Sequence, residues 1–533
     1  MTKFLSSKLI LFLLGLSFIL ACKTQYFRNN YTDANKLLHE TEQLKNKPFL
    51  KAHMKNGDLW ILYDAWTVDT VQNLLNGQGV QYNHNRTQIG SGQASIPIQE
   101  VLIFETNQQL KGKENGRIAA LAILGALNVA GAISCQSNPK ACFGSCPTFY
   151  QNENDDFHFA DAEGFSNAIA PSLEYSDIDA LNNAPLKSKH FSLTMKNEAL
   201  ETHCVREVQL LACPRKPGER IFQTPENQFL RCGPALPLLN ARGPEGDVSR
   251  LLRTQDREER FSLSDPENLS NKETIFLEFA PNTEAEALGL TLDFRQTLMT
   301  TYFIYSAIAY MGDQVSDIFA RMESSSDIRG KLNKGLKKEL GGVDISVWDE
   351  NLKTWRPAGS YYETGPIAIN RQMLHLGNIA GSGPVRLKID MNKGLWRLDY
   401  AALHPVHEVI EPIALKPTQV RHKGQVSATA LAELNEPAQL LLSMPGDAWQ
   451  LDFNLPAGTT DYELFLYSKG YYIEWMREEW LRDKNLLKLR QLLENPKYYL
   501  KSEAPAYKAY EASMEDIFWN SRIDTKNFSY HEN

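Results

Sequence analysis

The sequence predicts a multidomain α+β protein that is rich in β-structure, and three observations lead there. Stretches alternating apolar and polar residues between Gly, Asn and Pro turns recur from residue 50 to residue 470. Helical periodicity appears from about Leu298 to Met322 and again at the end of the chain. The length, 533 residues, exceeds what one core ordinarily organises and suggests about three or four domains.

Residues 1–21 read as a secretory signal peptide: Lys3 and Lys8 precede an apolar run from Leu9 to Leu20, too short for a bilayer, which stops at Ala21. The four residues Ile19-Leu20-Ala21-Cys22 resemble the lipobox of bacterial lipoproteins. That resemblance implies that the Cys22 thiol is acylated, that the preceding peptide is removed, and that Cys22 begins the mature chain. Acyl chains, at about 0.8 kcal/mol per buried CH₂, then hold the protein on a membrane surface without a spanning helix. The same resemblance implies the outer membrane. The following residues, Lys23 to Tyr26, lack the acidic run similar to the surface-export tag of Bacteroidetes lipoproteins, which favours the periplasmic face.

With 43% hydrophobic and 23% charged residues the composition is globular. The formal charge is −8, and removal of Lys3 and Lys8 with the signal peptide takes it to −10. That mild acidity argues against nucleic acid or an anionic lipid surface as partner.

The elements follow in order. Residues 22–49 form the lipid anchor and a spacer expected to be helical from Tyr26 to about Asn46, with Thr32 or Asp33 as N-cap. Residues 50–110 predict a small antiparallel β-domain. The segment Arg117 to Ser134 is almost wholly apolar, carries Asn128, and is shorter than a bilayer requires; it reads as a buried apolar helix, with lipid insertion or partner docking as the alternative. Residues 135–240 predict a cysteine-containing β-domain, and 241–271, charged and punctuated by prolines, an exposed linker or long loop. Residues 272–330 predict a strand followed by a long internal helix, whose Tyr302, Phe303, Tyr305 and Tyr310 form a core stripe. Residues 331–470 predict a jelly-roll-like β-sandwich. Residues 471–533 predict C-terminal helices, beginning with an amphipathic one from Ile473 to about Glu494.

Apart from Cys22, six cysteines fall between residues 135 and 232: Cys135, Cys142, Cys146, Cys204, Cys213 and Cys232. An even number clustered in an exported chain predicts disulfides, with the connectivity open. A metal is the weaker alternative, because Cys142 and Cys146 are more widely spaced than a zinc knuckle and no histidine pair follows. Gly144 and Pro147 make a tight covalent loop the structural reading of Cys142 and Cys146. An exchange-active pair is the other, and no adjacent His or Lys lowers a thiol there.

The stretches NPKACFGSCPTFY, DAEGFS and IAPSLEYSDIDAL resemble a family of large Bacteroidetes lipoproteins for which no chemistry is established. The resemblance adds an envelope setting and no site residue.

No HExxH, GxSxG or GxxxxGK[ST] motif is present. His404-Pro405-Val406-His407-Glu408 groups two histidines and a carboxylate, but Pro405 breaks the helix that would align them, so no metal and no cofactor is assigned. Glu363, Asp399 and Asp447 stand beside aromatic residues and are equally well explained as turn caps and strand-edge charges. Two functions remain open. One is a non-enzymatic outer-membrane lipoprotein that scaffolds or binds envelope proteins. The other is a carbohydrate-binding or glycan-processing protein, which predicts a solvent-exposed ligand face made by Trp355, Tyr361, Glu363, Trp396 and Asp399.

Overall fold

The computed structural model describes residues 26–31, 50–109 (without 55, 57, 64 and 84–87), 146–151, 159–181, 189–199, 201–282, 287–315, 318–319, 335–362, 365–379, 383–456, 461–474, 483–523 and 525. Five sheets, each with antiparallel neighbours, account for most of them. The protein is thus β-rich and α+β, as the alternating segments predict.

The first sheet is built from seven strands between Tyr26 and Gln109. Leu50, Leu62, Trp66, Leu75, Ile96 and Phe104 close a core of its own under it. Tyr26–Tyr31 is a strand in this sheet, paired with Val101–Gln109, where the sequence predicts the start of a spacer helix. Tyr and Phe suit a pleated surface, and the edge of Val101–Gln109 supplies the partners for their backbone. The remainder of the predicted spacer and the apolar segment 117–134 lie outside the described residues.

The other four sheets share one continuous hydrophobic core running from Cys146 to Phe518. The second sheet centres on Glu201–Pro214 and Tyr462–Glu474, two long strands paired along their whole length. The third contains His190–Lys196 and Ala448–Asn454. The fourth contains Ala287–Gln296 between Asn370–Asn378 and Trp396–Ile410. The fifth contains Lys272–Phe279, Val385–Asn392, Val343–Asp349 and Thr354–Tyr361. Strands from residues 331–470 are distributed over all four of these sheets, so the predicted self-contained sandwich is not the arrangement.

Six described helices complete the body: α1 (Ser249–Arg253), α2 (Met299–Met311), α3 (Leu336–Leu340), α4 (Ala428–Asn435), α5 (Leu486–Glu494) and α6 (Pro496–Ser521). The Asn485 side chain caps α5 and that of Asn495 caps α6, where Pro496 occupies the first turn without losing a needed donor. On α2, Phe303, Tyr305 and Tyr310 are buried, as the stripe predicts; Tyr302, half-buried, donates to Glu503 on α6 at 2.7 Å. Ile473 and Glu474 end a strand instead of starting a helix.

The segment 241–271 is not an exposed linker. It contributes strand residues up to Gly243 and helix α1, and its Arg260 is buried against Glu273 at 2.6 Å and Glu245 at 2.8 Å, while the Arg260 N–H donates to the Leu398 carbonyl at 2.7 Å. Arg260 and Glu259 of this segment turn inward to charged partners, which composition alone reads as solvation.

Candidate functional site

The fourth sheet carries an irregularity with chemical consequences. Along the pairing of Ala287–Gln296 with Trp396–Ile410, Asp293 faces Tyr400 and Phe294 faces Leu398, so Asp399 is an extra residue in the ladder. A bulge of this kind re-aims a side chain, and here it brings Asp399 to the side of the sheet that holds Asp293. Both line one cavity of about 110 Å³ together with Phe159, Asp161, Arg257 and Arg371, with Gln255 at its exposed mouth.

Each polar group in the cavity has a definable state. Arg371 from the neighbouring strand grips the Asp293 carboxylate at two points, Nε at 2.7 Å and Nη2 at 2.6 Å, and both residues are buried. Asp161 accepts the Gln151 N–H at 2.7 Å. Asp399 is 3% exposed; it accepts the backbone N–H of Arg257, while its Oδ1 has no hydrogen-bond partner among the described residues. Burial first, and then the charge of Asp293, push its carboxyl up to about 7. The N–H of Arg257 reaches Asp399 because Arg257 adopts the left-handed conformation, φ 67°, in a turn where Asp256 Oδ1 accepts the Glu258 N–H. A non-glycine residue there costs of order 1–3 kcal/mol, and such strain concentrates at functional sites.

A second, larger cavity of about 190 Å³ is mostly apolar. Helix α2 contributes Phe303, Ile304, Ala307 and Ile308, α3 contributes Leu336 and Leu340, and α5 contributes Leu492 and Leu493. At one end Gln296, Thr300 and Asn167 give it a polar wall, and these three also line a small pocket beside Cys146 and Glu163. The Glu163 carboxylate accepts the N–H groups of Ile367 at 2.7 Å and Ala368 at 3.2 Å, and lies so close to Gly365 that a side chain there would overlap it.

The residues singled out in the sequence fare unequally. Tyr361 and Trp396 are buried against Phe294, and the Tyr361 hydroxyl accepts the Leu374 N–H at 2.9 Å, so neither ring belongs to an exposed ligand face. Their apolar area is worth more in the core than in water. Trp355 is half-buried at the outer end of the fifth sheet, edge-on to Trp348 at 5.3 Å. Glu363 lies outside the described residues. Of that set Asp399 lines the polar cavity, while Trp396 contributes to the wall of the apolar one. Asp447 is buried and caps a turn by accepting the Met444 N–H at 2.7 Å. His404 sits within a strand instead of a loop and donates from Nδ1 to the Gly233 carbonyl at 2.9 Å; no group of metal-ligating side chains occurs among the described residues.

The disulfide expectation is corrected for four cysteines: Cys146, Cys204, Cys213 and Cys232 are buried thiols in no disulfide. Cys204 and Cys213 lie nine positions apart on one extended strand, about 30 Å at strand rise, and so cannot bridge. Cys232 packs against the Met373 sulfur at 3.5 Å, both within the fourth sheet, and the Cys146 thiol donates to Glu163 at 2.8 Å. Burial raises Cys146 well above its ordinary range, with the Glu163 charge adding to it, which leaves it inert as a nucleophile. Cys22, Cys135 and Cys142 lie outside the described residues.

Asp293, Arg371 and Arg257 are functional candidates that residue patterns did not single out. A lone Asp inside the apolar strand GLTLDFRQ was the available signal, since a buried strand tolerates a charge only with a partner.

The molecule is therefore a β-rich α+β protein whose described residues enclose a polar cavity and a larger apolar one. No family model matches the chain, and no curated protein matches it. A solved structure described as that of allantoicase aligns with 54% of this chain and 97% of its own at 8% identity, with a TM-score of 0.18, a level of similarity that carries no argument.

Proposed function

We propose that the chain is a lipid-anchored binding component of the bacterial outer membrane, attached through Cys22 on the periplasmic side, with a body that holds an envelope partner and performs no chemistry of its own. The observation that carries the binding role is the apolar cavity between the sheets and helices α2, α3 and α5. An opening of about 190 Å³ lined by Phe303, Ile304, Leu336 and Leu492 suits large apolar side chains of a docked protein, the sort of anchor that dominates interface energetics. The interior placement of Tyr361 and Trp396 supports the same choice, because it removes two rings that the aromatic sugar face needs.

Two measurements test it. The Cys22→Ser variant is expected to lose acyl labelling and to leave the envelope fraction; unchanged processing and sedimentation would overturn the anchor. Detergent-solubilised protein with Ile304→Trp, which fills the cavity, is expected to lose a co-purifying envelope protein that the parent chain retains. Equal recovery from both would overturn the docking role.

A further inference from the structure

We propose that the polar cavity at the bulge in the fourth sheet is a binding site for a neutral polyhydroxylated ligand, a saccharide unit, held between Asp399, Asp161, Arg371 and Arg257 beside the ring of Phe159. The site differs from the aromatic face expected in the sequence and from the apolar cavity, and it does not depend on the anchoring role.

The chemistry of the lining selects the class. The Asp399 Oδ1 atom is a buried acceptor with no hydrogen bond among the described residues, and leaving such an atom unmatched costs about 1–3 kcal/mol. Arg371 spends Nε and Nη2 on Asp293, so a ligand meets the remaining edge of its guanidinium as a donor. Donors and acceptors therefore alternate around one small volume. A hydroxyl satisfies both kinds, since it donates once and accepts twice. An ammonium only donates and is repelled by two guanidiniums; a carboxylate or phosphate only accepts and is repelled by Asp161, Asp293 and Asp399. Phe159 supplies the apolar face that the C–H side of a sugar ring requires, and it is fixed by the Arg295 guanidinium 4.9 Å from its centroid and by Trp519 edge-on at 5.5 Å.

The backbone is prepared for this. Arg257 pays the cost of a left-handed φ, and the bulge interrupts the ladder, yet both distortions converge on the same carboxylate. Two backbone distortions that converge on one buried carboxylate mark a site that the surrounding packing over-determines.

Saturation-transfer NMR on the full chain in detergent tests the assignment with D-glucose, D-galactose, D-mannose and N-acetyl-D-glucosamine as probes, and with lysine and galacturonate as charged counterparts. At least one neutral sugar is expected to saturate, and the charged probes are not. Asp399→Ala is expected to weaken that sugar by about tenfold or more, the size of one hydrogen bond to a charged group. Arg257→Gly keeps the turn and its N–H while deleting the guanidinium and relieving the left-handed strain, and is expected to weaken binding with a melting temperature no lower than the parent's, which covers the case of Asp399→Ala failing to fold. The proposal is overturned if no neutral sugar saturates, if only a charged probe does, or if both folded variants bind as the parent does.

Discussion

His53 Nδ1 lies 2.8 Å from the hydroxyl of Tyr471, joining residues 418 positions apart and tying the first sheet to the body. Both side chains are buried, and Lys51, two residues earlier, places its ammonium over the Phe319 ring at 5.8 Å. Tyr471→Phe keeps the packing and removes one hydroxyl, so it is expected to cost about 1–3 kcal/mol at this junction. Denaturant unfolding monitored at the first sheet checks it: the midpoint for the early transition should fall, while the slope for the body stays as it was.

Asp399 predicts a pH dependence with a definite sign. Its carboxyl titrates near 7 in the fold and near 3.9 in an unfolded chain, so between those values the folded state binds the extra proton. Stability is therefore expected to fall as pH rises from about 4 to about 7, and to stay level above that. Asp399→Asn should abolish this loss and melt a few degrees higher than the parent at pH 8, as thermal scans at pH 5 and pH 8 will read.

His404 works in the opposite direction. Burial lowers its imidazole to about 4, against about 6.5 unfolded, so the unfolded chain binds the extra proton between them. Stability is expected to be lost as pH falls through that window. His404→Asn, which retains a donor for the Gly233 carbonyl, should flatten the acid side of the profile while leaving the Asp399 trend in place.

Arg295 is buried between two carboxylates, with Glu259 on its Nε at 2.5 Å and Glu515 of α6 on its Nη2 at 3.1 Å, and Arg397 shares Glu515 at 3.0 Å. Removing one member strands charge in the interior, so Glu259→Ala is expected to destabilise by about 3–5 kcal/mol. Chemical denaturation will measure it. A cost under about 1 kcal/mol would mean that water reaches the cluster.

The four buried thiols make a further prediction. Burial pushes Cys232 up to about 12, raises Cys213 as well, and lifts Cys146 far out of its ordinary range. At pH 8 the native protein is expected to leave Cys146, Cys204, Cys213 and Cys232 unmodified by an aromatic disulfide reagent, with all four reacting in denaturant. Peptide mapping separates them from the remaining cysteines.

How far the sequence reveals this molecule depends on the range of the interaction concerned. Lys272–Phe279 alternates buried and outward positions as its residue pattern predicts, because a strand's two faces are set by its own side chains. The fused body is not legible in this way: nothing local in Glu201–Pro214 says that its partner is Tyr462–Glu474. Arg260 reads as solvated in a charged stretch, since its burial depends on carboxylates that only tertiary structure delivers. Asp399 stands out beside an aromatic residue, but the bulge that gives it a role is a property of two strands together.

The pairing of Glu201–Pro214 with Tyr462–Glu474 also sets a schedule for biogenesis. A polypeptide emerging from its amino end delivers the first of these strands roughly 250 residues before the second, and until then the sheet has an open side. Until Tyr462–Glu474 arrives, the long strand Glu201–Pro214 presents an unpaired edge, so closure of the body waits on the late pairing of these two strands.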